Sequence, residues 1–131
     1  MIHLDPYAAL LALLFVALSW RTIGLRRRYR VAVGDGGQPE LLRAIRVHAN
    51  FAEYVPLALL LIALVEIGGS PAWLVHGLGL ALLVARCAHA WGVSQTKEDF
   101  RFRVAGMMLT FGVLGISAAE LLRRSLWVAL G

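Results

Sequence analysis

Four long apolar runs alternate with three polar breaks along the chain. A helix that crosses the hydrocarbon core of a bilayer needs about 20 mostly apolar residues, and each run is long enough. The pattern predicts helices over about 6–25, 40–67, 72–92 and 101–122. Pro6 suits a first helical turn, where a missing N–H is no loss, and Asp5 suits the N-cap before it. The stretch Gly34-Asp35-Gly36-Gly37-Gln38-Pro39 has the clearest turn chemistry and forms the first loop. Gly68-Gly69-Ser70-Pro71 closes the second helix, and a polar segment over 94–100 precedes the fourth. Pro56 falls inside the second helix and should bend it, because the carbonyl of Ala52 loses its usual donor.

Composition makes the membrane reading firm. The chain has 131 residues, 60% of them hydrophobic, with a mean hydropathy of +0.72. A soluble domain is roughly half apolar, so a globule of this size has no room for so many leucines. The expected fold is an all-α membrane protein, one domain, a bundle of four transmembrane helices in membrane lipid. The net charge of +5 could point to nucleic acid, but its placement does not. Arg26, Arg27, Arg28 and Arg30 follow directly on an apolar run, as a membrane-surface cluster does. The N-terminus lacks a basic segment before its apolar run and reads as a retained helix, not a cleaved signal. Cys87 is the one cysteine, so no internal disulfide forms, and it reads as inert packing. No His/Cys/carboxylate cluster has zinc spacing, so no metal is expected. Trp20, Trp73, Trp91 and Trp127 fall near helix ends, as an interfacial belt would. Gly106, Gly112 and Gly115 suit close helix approach.

The first loop and its flanks carry Arg21, Arg26, Arg27, Arg28, Arg30, Arg43 and Arg46. The third carries Lys97, Arg101 and Arg103, and the second carries no Lys or Arg. The positive-inside rule therefore puts loops one and three in the cytoplasm and both termini outside. Charges then appear at membrane depth. Arg46, Asn50 and Glu53 sit at i, i+4 and i+7, on one helical face. Arg86 and His89 end the third helix, and Arg103 begins the fourth. All would lie at one depth, around a cationic cavity whose buried carboxylate is Glu53. Its guest would be a small anion with an amino group. The bland alternatives are a polar clamp between Arg46, Asn50 and Glu53, snorkelling of Arg86 and Arg103 to lipid phosphates, and packing by His89. His48, His3 and His76 read as structural, without ligand neighbours.

At these residues the chain resembles the MAPEG superfamily, the membrane-associated proteins of eicosanoid and glutathione metabolism. Arg43-Ala-Ile-Arg46-Val-His-Ala-Asn50-Phe-Ala-Glu53-Tyr54-Val-Pro56 is similar to the family's Arg-x-x-x-Asn-x-x-Glu-Tyr-x-Pro run. The stretches around Arg27–Arg30, Arg86–His89 and Arg103–Gly106 resemble its other three helices. The resemblance implies a homotrimer with glutathione between subunits in the cytoplasmic half of the membrane. It implies that Arg46, Asn50 and Glu53 hold glutathione, with Glu53 on the amino group, His89 as a polar contact and Arg86 as support. Arg27 or Arg30 would come from the adjacent subunit, and Arg103 would face the thiol. A cation beside a thiol favours the thiolate, which would attack a lipophilic electrophile from the bilayer in a transferase or peroxidase reaction. The sequence also departs from the family. Val93 and Met107 stand where its enzymes often carry tyrosines, loop length leaves Arg101 as an alternative to Arg103, and no prostaglandin or leukotriene synthesis is assigned. Two other classes stay open. One is a non-catalytic trimer that binds glutathione or lipid. The other is a small four-helix transporter, whose proton-coupling carboxylate belongs in a first helix that has none over 6–25.

Overall fold

Buried positions recur at helical spacing. On the second helix they are Leu41, Ala44, Val47, Phe51, Val55, Ala58, Ile62 and Val65, steps of three or four that draw one stripe. The computed structural model of the protein describes residues 2–131 and consists of four helices. They are α1 (Asp5–Tyr29), α2 (Pro39–Ile67), α3 (Ala72–Ser94) and α4 (Phe100–Leu130), each long and apolar enough to cross a membrane. The helix α1 buries Leu11, Leu18 and Leu25; α4 buries the small residues Gly106, Thr110, Val113 and Ser117. The largest interface is between α3 and α4, and α1 packs on α2 and α3 only. Leu, Val, Ile and Phe side chains cover the outward faces. That arrangement is stable where lipid, not water, is the solvent.

Side-chain bonds fix the order of the two ends. At one end the Tyr29 hydroxyl donates to Glu40, Arg21 to the Ser94 hydroxyl and Arg43 to the Val93 carbonyl, so loops one and three lie together. At the other, Glu66 accepts from the backbone N–H groups of His3 and Leu4, and Ser70 donates to Glu120. The helices therefore alternate in direction. All four tryptophans are exposed, Trp20 and Trp91 nearer the first end, Trp73 and Trp127 nearer the second.

Several expectations need correction. Leu4, not Asp5, is the N-cap of α1. The carboxylate of Glu66 holds the His3 and Leu4 N–H groups just before the helix from across the bundle, and Asp5 is the first helical residue. The basic run does not end α1 at residue 25. Cations suit the negative end of a helix dipole, and the chain turns only at Arg30, which adopts the left-handed conformation (φ 56°). Nor does α4 stop at residue 122. Arg123 pairs with Glu120 one turn back, while Arg124 donates to the Val65 and Gly68 carbonyls at the end of α2. As expected, α2 continues through Pro56 and does not end there. His3 lies beside Glu66 (Nδ1 to Oε1, 3.0 Å), and His76 bonds the Tyr7 hydroxyl (2.9 Å). Cys87 is exposed on α3 and packs nothing inside the bundle.

The glycines of α4 differ in kind. A Cβ on Gly106 would stand 2.7 Å from the Ala85 carbonyl oxygen and 2.9 Å from the His89 nitrogen, both backbone atoms of α3. Gly112 and Gly115 face open space, so close approach within the chain explains Gly106 alone. Gly106→Ala should cost about 1–3 kcal/mol through overpacking, whereas Gly112→Ala should change stability by less than about 1 kcal/mol. Thermal unfolding of the two variants in detergent checks this; equal melting temperatures would refute it.

Candidate functional site

Two glycines bring the start of α4 onto the end of α3. Gly106 meets Ala85 and His89, and Gly92 meets Phe102 and the Arg103 backbone. Arg103 and Met107 thereby come beside His89 and Val93, and α2 closes the space with Arg46 and Asn50. These six residues line a 210 Å³ cavity near the end that holds loops one and three. An adjoining 260 Å³ recess shares Arg46, Val93 and Arg103 and adds Pro39, Leu42 and Arg43.

Arg86 lies behind the cavity and does not line it. It is 1% exposed, deep between α2, α3 and α4. One Nη donates to Asn50 Oδ1 (2.5 Å) and the other to Thr110 Oγ1 (3.4 Å), with His89 Nδ1 3.4 Å from the guanidinium. The Thr110 hydroxyl in turn donates to the Gly106 carbonyl (2.7 Å). No carboxylate pairs with Arg86 among the described residues, and its Nε is buried without a partner. Snorkelling is therefore excluded for this side chain. Arg86 orients Asn50 and His89 toward the cavity.

The acidic partner is Glu98, which the sequence reading missed. Its side chain is 3% exposed, and Oε1 accepts from Arg43 (2.8 Å) and Arg103 (2.6 Å). Glu98 lies in the polar loop before α4, where no periodicity marks a residue as buried; its sole signal is an acid among arginines. Arg103 is the arginine at the cavity, stacked over Phe100. Arg101 is 92% exposed, pairs with Asp99 and lines neither space. Asp99 is the N-cap of α4, and the Arg101 N–H holds its carboxyl below the ordinary value.

Glu53 is not the buried carboxylate that the sequence predicts for the cavity. It is exposed on α2, lines neither space and has no hydrogen bond or ion pair among the described residues. The buried carboxylate of the site is Glu98 instead. At 100° per residue, Asn50 is rotated about 40° one way from Arg46 and Glu53 about 20° the other. The edge of the cavity falls between them. Arg46 stands at the mouth, exposed and without an internal partner, so the predicted clamp with Glu53 does not form. Arg27 and Arg30 are exposed and line a separate recess with Ile23, Arg26, Val31 and Ala32. Within the chain they do not reach the cavity. His48 is structural, bonded to Ser19 and stacked on Phe15.

Three arginines (Arg43, Arg46 and Arg103) line the two spaces, Glu98 is the one carboxylate paired among them, and the surplus of positive charge selects an anion. A family model, the MAPEG family, matches residues 6–123. The chain is 44% identical over 108 residues to the inner membrane protein YecN of Escherichia coli K12, which covers 82% of this chain and 81% of that protein. The same values hold for the YecN protein of Escherichia coli O6:H1 strain CFT073.

Proposed function

Since the chain belongs to the MAPEG family of membrane proteins, we propose that it binds glutathione in the cationic cavity and activates its thiol toward lipophilic electrophiles. The observation that carries this reading is the convergence of Arg46, Asn50, His89 and Arg103 on one space, with Arg46 lacking an internal counter-ion. Arg46 pairs with a glutathione carboxylate, Asn50 and His89 supply polar contacts, and Arg86 positions both. Arg103 stabilises the thiolate. The thiol proton leaves to solvent, the sulfur attacks the electrophile, and no protein nucleophile takes part. Proximity and electrostatics do the work.

The working unit in this reading is a homotrimer. Glu53 is a carboxylate on the outer face of a membrane-spanning helix, where exposure to lipid is costly. A neighbouring subunit covers it. The same packing brings the neighbour's Arg27 or Arg30 to the ligand and leaves Glu53 for its amino group. Loops one and three face the cytoplasm, where glutathione is abundant, and both termini lie outside. A second reading, a trimer that binds glutathione or lipid without turnover, has one observation in its favour: Arg103 is already bonded to Glu98.

Calorimetric titration of the detergent-solubilised protein with glutathione, in two buffers of different ionisation heat, tests the proposal. Binding with proton release supports a bound thiolate. Binding without it favours the second reading, and no binding defeats both. Arg46→Ala should weaken glutathione about 10- to 100-fold, the equivalent of one charged hydrogen bond.

A further inference from the structure

The carboxylate of Glu98 uses its two oxygens unequally. Oε1 carries both arginine bonds, while Oε2 is buried without a partner. The Nε of Arg103 is likewise buried and unpartnered. A carboxylate whose purpose is to tether its loop gains most from a two-pronged bond, with both oxygens on one guanidinium. Here a single oxygen is divided between Arg43 and Arg103, and donor and acceptor capacity is left over on both sides. The bridge borders both spaces, since Arg103 lines each of them. Arg43 has a second hold, on the Val93 carbonyl (3.0 Å), so it stays in place whatever Glu98 does.

We propose that Glu98 is the resident counter-ion of the cavity, a specificity-determining residue that gives up Arg103 when an anion arrives and keeps Arg43. The inference rests on the reading above only in that the cavity takes an anion. Arg46, free of internal partners, meets the first negative group. A second negative group must then compete with Glu98 for Arg103. Monoanions stop at Arg46, and ligands with two negative groups, or a doubly charged one, gain the second site. Glu98 therefore keeps Arg103 paired while the cavity is empty and sets a threshold of charge for entry.

The test uses the full chain in detergent, titrated calorimetrically with sodium sulfate and, separately, with glutathione. Glu98→Gln removes the competitor and should bind sulfate about tenfold tighter than the unaltered protein. Arg43→Gln leaves Glu98 to Arg103 alone and should bind sulfate about tenfold more weakly. A tether role predicts that both variants weaken, because both loosen the loop. Sulfate binding by Glu98→Gln that is unchanged, weaker or absent overturns the proposal. If Glu98→Gln does not fold, Glu98→Asp, whose shorter carboxylate competes less well for Arg103, takes its place and should also bind sulfate tighter; unchanged or weaker binding overturns the proposal. Glutathione separates the two ideas. Failure of glutathione to bind while the sulfate shifts appear removes the proposed ligand and leaves Glu98 its role; normal glutathione binding without the shifts does the reverse.

Discussion

On the proposed reaction, Arg103→Ala should lower glutathione-dependent turnover by about 10²- to 10³-fold, the usual loss when one preorganised donor to a developing anion is removed. Glutathione affinity should change far less, because Arg46, Asn50 and His89 remain on the cavity wall. The effect is large because Arg103 has few colleagues. Val93 and Met107 line the same space and offer no hydroxyl to a thiolate. A free thiol titrates near pH 8.5, so without a cation only a few per cent is ionised at neutral pH. The guanidinium stays charged at any working pH and supplies that cation. Measuring kcat beside the pH dependence of thiolate absorbance separates chemistry from binding. Turnover equal to that of the unaltered protein would sink the mechanism.

Arg86→Ala should destabilise the bundle by about 2–4 kcal/mol. Two effects oppose one another. Burying a guanidinium without a carboxylate is costly, and truncation removes that cost. Truncation also leaves a void where three helices meet and strips Asn50 and Thr110 of their shared donor. The void and the unpaired groups should win, because Arg86 is among the largest fully buried side chains of the protein. Arg86→Met, which refills most of the volume, should recover part of the loss. Thermal unfolding in detergent measures both. An alanine variant as stable as the parent would mean that the network fills space without holding it.

Arg86 also shows where reading the sequence stopped. Its position on the third helix and its company, His89, were legible from spacing. That it reaches inward to Asn50 and Thr110, and not outward to lipid phosphate, depended on how closely α4 approaches α3. Gly106 sets that distance, and nothing in the linear pattern distinguishes it from Gly112 or Gly115. Met107 and Val93 depart from the family motif, and the fold puts both on the cavity wall.

The number of helices, their approximate limits, the membrane setting and the family were written in the sequence. Each depends on local properties: about 20 apolar residues per span, turn residues between spans, and a motif within one helix. Helix ends were less legible where a distant group intervened, as Glu66 does for His3 and Leu4 just before α1 and the end of α2 does for Arg124. The tertiary structure decided which charges meet. Arg46, Asn50 and Glu53 share a face in sequence, yet a cavity edge separates two of them from the third. Glu98 enters from a loop with no period of its own, and packing buries it between Arg43 and Arg103. Helical propensity and hydropathy act over neighbours along the chain. The pairing of buried charges acts over ångströms in space, and only the folded bundle brings residues 43, 98 and 103 within that range.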